Sequence, residues 1–186
     1  MFLKKEKSTV EVLLLIVILI YSYLINWYSG NIGVIPIDSF GFLDTGYSIT
    51  NGHLPIRDFW IFTGFLVDYM EAVFLYLFGN NWNSHLAHSS FMNIIASISL
   101  YYFLKQYELK ISYNFFYCMC FATLCYPLSG TPFAYIHAYI FSLIAIFNLL
   151  IAIKKKIDFY GLCSLLYVFL HFYQCRHLQY IFYLFC

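Results

Sequence analysis

The sequence predicts an all-α, polytopic transmembrane helical bundle of about five spans, with a first outer loop that contains two juxtamembrane helices. Three observations predict it. Of the 186 residues, 62% are hydrophobic and 10% are charged, against about 45–50% and about 25% in ordinary soluble domains. Apolar runs of near-span length recur along the chain, and a bilayer span takes about 20 predominantly apolar residues. The lysines fall in short clusters between those runs, and short loops rich in Lys and Arg stay cytoplasmic.

The first run, Val10 to Trp27, follows Lys4, Lys5 and Lys7. It is long enough to span, and Trp27-Tyr28-Ser29-Gly30 follows it rather than a small-x-small cleavage site, so it reads as an uncleaved first span and not a signal peptide. Further runs lie at about 62–78, 87–104, 111–127, 135–153 and 158–173. The 62–78 run carries Asp68 and Glu71. Each acid costs about 2.5–3.5 kcal/mol near a helix centre, whereas each Leu, Val or Phe of the run returns only about 0.3–0.6 kcal/mol. That helix is therefore expected to lie along the membrane interface. Gly64, Asp68, Glu71 and Ala72, at i, i+4, i+7 and i+8, form its polar stripe, read as a solvated face, and Gly79 is its C-terminal stop.

Lysine placement agrees with that expectation. With the 62–78 helix outside the bilayer, Lys4/Lys5/Lys7, Lys105/Lys110 and Lys154/Lys155/Lys156 all fall on one side. The N-terminus is then cytoplasmic, residues 28–86 form the first outer loop, Pro127 to Pro132 a short second one, and a fifth span leaves the cytoplasm from about Asp158. The last stretch, HFYQCRHLQYIFYLFC, is polar and basic where a span should continue. Residues 1–186 are accordingly expected to be a single membrane domain, the truncated N-terminal part of a larger module.

Within the outer loop, Asp38 is the expected N-cap of a helix of about a dozen residues closing at Asn51-Gly52. Phe40, Leu43 and Tyr47 share its apolar face, and Asp44 projects from its middle. His53, Arg57 and Asp58 follow in the turn Gly52-His53-Leu54-Pro55-Ile56-Arg57-Asp58. Acids and a cation thus gather at one level of the interface.

The stretch DSFGFLDTGYSITNGHLPIRDFWIFTGFLVDYMEAVFLYLFGNNW resembles the first outer loop of C-type (GT-C) membrane glycosyltransferases, the superfamily of protein O-mannosyltransferases and aminoarabinose transferases. The matching elements are the acid Asp44 in Leu43-Asp44-Thr45-Gly46-Tyr47, the Gly52-x-x-Pro55 turn, Arg57-Asp58-Phe59-Trp60, and a second juxtamembrane helix ending at Phe78-Gly79. The resemblance runs from the first span to about residue 100. It implies a polyprenyl-phosphate-linked sugar as donor and a lipid, glycan or protein as acceptor. The location is read as a bacterial inner (plasma) membrane, the endoplasmic reticulum accepting the same charge pattern. By the same resemblance Asp44 is the candidate general base and Asp58 a secondary candidate for that role.

The chemistry suits those residue types. Displacing a sugar from a lipid phosphate needs a carboxylate to accept the acceptor's proton and a cation to hold the departing phosphate. Arg57 offers a planar fork for phosphate oxygens, and His53 stands beside it as a second substrate-binding candidate. Plainer roles stand next to each of these. Asp44 can be a solvated loop acid, Asp58 a structural partner of Arg57 or of a backbone amide, Arg57 a surface cation, and His53 a turn residue.

Other classes fare worse. A net charge of +1 with scattered Lys and Arg leaves no basic stripe for nucleic acid. His85 and His88 at i, i+3 lack a paired acid at metal-ligand spacing and read as interfacial polar groups, so no metal ligands are assigned and no cofactor is implied, a divalent ion being left open. The six cysteines sit in or beside apolar runs as buried small side chains, with Cys118 and Cys120 on different helix faces. The second reading is a non-enzymatic multi-pass protein, a subunit or small transporter. Against a transporter, the runs themselves carry almost no ionisable groups.

Overall fold

The computed structural model describes residues 2–34, 36–61, 65–126 and 130–156. Among these residues the protein is all-helical. Its six helices are α1 (Phe2–Ile32), α2 (Pro36–Thr50), α3 (Phe65–Phe78), α4 (Trp82–Gln106), α5 (Ile111–Leu124) and α6 (Ala134–Lys155). Gly64, the expected fifth span, and Cys163, Cys175 and Cys186 lie outside the described residues.

Among the described residues, two helices are long and apolar enough to cross a bilayer: Thr9–Ile32 within α1, and α6. The 87–104 run lies in α4, which has 25 residues but sets a row of Ser, His and Asn side chains inside the protein. The 111–127 run becomes α5, whose 14 residues make about 21 Å of helix, less than the roughly 30 Å of a hydrocarbon core. α3 also has 14 residues.

α1 packs against α4 and α5, α2 against α3, and α4 against α3, α5 and α6. Paired residues give the directions. Ser22 meets Ser97, and Glu11 meets Tyr101 and Lys105, so α1 and α4 are antiparallel. His137 at the start of α6 meets His88, and Lys154 at its end meets the Gln106 carbonyl, so α6 runs parallel to α4. One end of the bundle therefore collects Lys105, Lys110 and Lys154–Lys156. The opposite end bears α2, α3 and the turn between α5 and α6.

The polarity of this packing is reversed from that of a water-soluble core. Large apolar side chains face outward all along α1, α5 and α6, with Ile20 54% and Tyr139 66% exposed. Polar side chains fill the interior, among them Ser22, Asn26, Ser89, Asn93 and Ser97, each 2% exposed or less. Buried polar groups must find partners, and here they find them between helices. Asn93 Nδ2 donates to the Ser22 carbonyl (3.1 Å) and the Ala122 carbonyl (2.9 Å), joining α1, α4 and α5. Ser22 Oγ donates to Ser97 Oγ (3.0 Å), and Asn26 Nδ2 donates to Ser89 Oγ (3.0 Å) and the Gly130 carbonyl (2.9 Å). Small residues at such seams let backbones approach closely. Apolar packing fills the space around them, with Phe42, Val67, Met92, Phe133 and Ile136 in one cluster and Ile18, Tyr101 and Cys118 in another.

Several local expectations change. Asp38 lies inside the first turn of α2 rather than at its cap, because the helix begins at Pro36. Phe40 and Tyr47 are exposed, and α2 packs instead through Ser39, Phe42, Thr45 and Gly46. The reason is steric. A Cβ on Gly46 would lie 2.5 Å from Glu71 Cγ, so the small side of α2 is the one that can touch α3. Cys120 is exposed whereas Cys118 is buried, which keeps the two on different faces but leaves only one of them inside. The stops read from the sequence hold: Gly52 (φ +85°) follows α2 and Gly79 (φ +88°) follows α3. α4 then opens on Asn81, whose side chain accepts from the Ser84 amide at 3.0 Å.

Gly130 brings its turn close against the backbone of α1. Its φ is +64°, and a Cβ there would stand 2.5 Å from both the Asn26 carbonyl oxygen and the Gly30 amide nitrogen. Gly130→Ala is expected to cost roughly 2–5 kcal/mol, strain and overlap together, read as a lowered unfolding midpoint in detergent. Gly41→Ala, with nothing within 4 Å of the new carbon, should leave the midpoint unchanged or slightly raised. Equal midpoints for the two variants would contradict the close approach of that turn to α1.

Candidate functional site

The α2–α3 platform and the first turns of α4 and α6 build one polar centre. Its origin is the stripe on α3. Asp68 and Glu71 are 1% and 0% exposed, so the face expected to meet water faces the protein instead. Glu71 is held by two imidazoles on α4, with His85 Nδ1 at 2.8 Å from Oε1 and His88 Nδ1 at 2.7 Å from Oε2. Spacing explains the match: residues three apart share a helix face, and the tight Gly79-Asn80-Asn81 turn folds the acidic face of α3 onto the histidine face of α4. His85 and His88 are thus interior residues, not interfacial ones.

The centre extends to α6. His88 Nε2 lies 3.2 Å from His137 Nε2, and His137 Nδ1 lies 2.8 Å from the Phe133 carbonyl, to which it donates. Phe74 stacks on the His88 ring at 5.1 Å between centroids, and Trp82 covers His85 at 5.0 Å. Burial raises the Glu71 carboxyl, but the hydrogen bonds and charges of His85 and His88 more than reverse this, and its titration sits below the ordinary value.

Asp68 behaves in the opposite way. Burial, and the neighbouring Glu71 charge, push it up to about 6 although Thr45 lies against it. The Thr45 hydroxyl bonds both the Phe42 carbonyl (3.1 Å) and Asp68 Oδ1. It has one hydrogen, and the carbonyl can only accept. Below about pH 6 a protonated Asp68 supplies the second hydrogen, and above it the Thr45 hydroxyl donates to the carboxylate.

Of the residues singled out in the sequence, Asp44 lies in the middle of α2 and is exposed, one position before Thr45 and two before Gly46. It makes no hydrogen bond or ion pair among the described residues. Arg57 and Asp58 are brought together: Arg57 Nε and Nη2 donate to the two Asp58 oxygens at 2.8 and 2.7 Å, and the Leu54 amide adds a third bond at 2.8 Å. Those bonds hold the Asp58 carboxyl well below the ordinary carboxylate range, which weakens it as a proton acceptor. His53 is exposed in the same turn. Neither it nor Asp44 bonds to the Arg57–Asp58 pair.

A cleft of about 420 Å³ opens where α1, α3 and α4 meet, with Phe74, Phe78 and Phe91 on its wall and Asn81 and Ser84 at its polar edge. No group of three or more His, Cys, Asp or Glu among the described residues is arranged to hold a metal ion. No protein-family profile, no curated protein and no solved structure matches this chain.

Sequence reasoning passed over the Glu71–His85–His88 contact, though its signal was present as two acids and two histidines, each pair at i, i+3, on helices joined by a tight turn. His137 carried no such signal.

The raised Asp68 value has a stability consequence. The folded protein binds this proton more tightly than the unfolded chain, so stability from it is full below the ordinary value of about 3.9 and is lost as pH rises to about 6. The difference between 3.8 and about 6 corresponds to on the order of 3 kcal/mol. Asp68→Asn, which offers an N–H where the protonated acid offers an O–H, should be more stable than the parent at pH 7 and lose the parent's decline between pH 4 and 7. Unfolding midpoints across that range check this, and superimposable profiles would contradict it.

Proposed function

We propose that this chain is a multi-pass integral membrane protein, N-terminus cytoplasmic, in a bacterial inner membrane. Its α2–α3 platform is the outer face of a C-type glycosyltransferase that moves a sugar from a polyprenyl-phosphate donor to a lipid, glycan or protein acceptor. The observation that carries this reading is the setting of Asp44. It is exposed on a short helix whose next two residues, Thr45 and Gly46, are fixed against Asp68 and Glu71 of a second short helix. Such a carboxylate is positioned and accessible, as a general base must be.

Three further features support it. The apolar exterior and hydrogen-bonded polar interior suit a hydrocarbon solvent, where polar groups must be satisfied inside the protein. Lysines at one end of the bundle and the platform acids at the other suit a cytoplasmic and an outer side. The cleft beside α3 pairs an aromatic wall with a polar edge, as a lipid chain ending in a phosphate requires. Arg57 is oriented by Asp58 through Nε and Nη2, with a side chain that is 66% exposed, and Nη1 is directed to a phosphate oxygen in this reading. His53 flanks it.

In membranes expressing the protein and supplied with a polyprenyl-phosphate sugar, Asp44→Asn should lower transfer by about 10²–10⁴-fold, the usual worth of a general base, with expression and unfolding midpoint unchanged. Undiminished transfer would remove Asp44 from this role. Topology is checked separately. In a background without the native cysteines, an impermeant maleimide added to intact cells should label cysteine at Thr50 and Asn83 but not at Lys110. Labelling at Lys110 and not at Asn83 would overturn the outer placement of the platform.

One observation favours the second reading, a small transporter or subunit. Glu71, His88 and His137 place ionisable groups in the interior of the bundle, where transport pathways display them.

A further inference from the structure

The chain of contacts from Glu71 to the Phe133 carbonyl can be counted in protons. Its two ends are acceptors, the Glu71 carboxylate and a backbone carbonyl, and between them lie the rings of His88 and His137. The two outer nitrogens, His88 Nδ1 and His137 Nδ1, must each carry a hydrogen to donate outward. The two inner nitrogens face each other at 3.2 Å, a hydrogen-bond distance that requires one hydrogen between them. That makes three hydrogens on two rings, whereas two neutral imidazoles carry two. With both rings neutral, either two lone pairs would meet at 3.2 Å or a bare His88 Nδ1 would face the carboxylate. Both arrangements are repulsive between side chains that are 1% exposed or less.

We propose that the junction of α3, α4 and α6 is a proton-binding site: one excess proton resides on the His88–His137 pair as an imidazolium, balanced by the Glu71 carboxylate. Moving the inner hydrogen from His88 Nε2 to His137 Nε2 transfers the cation from one ring to the other. No bond to Glu71 or Phe133 is broken, and the total of three ring hydrogens is conserved. His85 completes the site as a neutral ring that donates from Nδ1 to Glu71 Oε1. Its Nε2, buried and without a partner, is consistent with an unprotonated nitrogen. The net charge of the centre is then zero, which is how a glutamate 0% exposed is accommodated.

The surroundings leave the count unchanged. From α3 the other titratable group is Asp68, at pH 8 a carboxylate that the Thr45 hydroxyl faces, outside the ring-hydrogen count. From α2 come Thr45 and Gly46, which carry no charge. From the segment before α6 comes Tyr126, its ring 6.3 Å from His137. α1 presents Asn26 and Ser22, which do not titrate. The inference stands apart from the sugar-transfer reading and serves the transporter reading equally.

The test is ring-nitrogen NMR of ¹⁵N-histidine-labelled full chain in nanodiscs at pH 8, well above the ordinary imidazole value of about 6.5. One of the six histidines should show both ring nitrogens protonated, or a pair of rings in exchange between that state and neutral. His137→Gln offers a side-chain N–H to His88 Nε2, so of the three ring hydrogens only the one on His88 Nδ1 remains. The imidazolium signal should vanish while the His88 Nδ1–H remains. Glu71→Gln should remove it as well, and His53→Gln, at the exposed turn, should leave it in place. All imidazoles neutral at pH 8 in the folded parent would overturn the proposal, whether or not the variants fold, as would an imidazolium that survives in folded His137→Gln. Loss of sugar transfer in Asp44→Asn with this signal intact would separate the two proposals.

Discussion

A carboxylate shut away from water must be hydrogen-bonded or it will not stay ionised, and Glu71 imposes that condition on the rest of this protein. Its two oxygens take one imidazole each, both from α4, so α3 must fold back on α4 in one register. Gly46 is then required opposite it, since any side chain there would overlap Glu71. That contact brings α2 down on α3, seats Thr45 against Asp68 and leaves Asp44 on the outer side of the platform. His88, fixed by Glu71, reaches His137 and so joins α6 to the same centre. One buried acid thus orders four helices and the residue proposed for catalysis.

The same physics acts along the bundle with uncharged groups. Asn26, Asn93, Ser22, Ser89 and Ser97 bond across helices rather than to solvent, while Ile, Leu, Val and aromatic side chains cover the outside. In water this arrangement would forgo most of the hydrophobic gain that holds a soluble domain together. In hydrocarbon the outward side chains lose nothing, and the interior bonds and close contacts between small residues become the cohesive terms. The surface and the interior therefore point to one solvent.

Much of this was legible in the sequence. The apolar runs from 111 and from 135 begin within a residue of α5 and α6, because a sustained apolar period and nearby Pro, Gly or Lys mark both ends. The cost of Asp68 and Glu71 set the 62–78 run apart from the others, and α3 is a short helix at the platform end. What the sequence did not disclose was the direction those acids face. A polar stripe suits water and a polar protein interior equally, and only the histidines of the following helix decide between them. The α2 face was misread for a related reason: apolar residues normally mark the packed side, but here outward Phe40 and Tyr47 lie opposite a packed side made of small and hydroxyl residues. Asp58 left two roles open, and its three hydrogen bonds to Arg57 and Leu54 hold it within the turn. His137 lies 49 positions beyond His88, and no local pattern links residues so distant.

The claim that the exterior of α1 and α6 meets hydrocarbon is tested most directly by spin labels read against oxygen and against a water-soluble paramagnetic reagent. Labels at Leu13, Ile20, Ile146 and Ile153 in a reconstituted bilayer, with the native cysteines replaced, sample the exposed faces of both helices. A bilayer-embedded bundle predicts high oxygen and low aqueous-reagent accessibility at Ile20 and Ile146. Free access of the aqueous reagent at those two positions would contradict it.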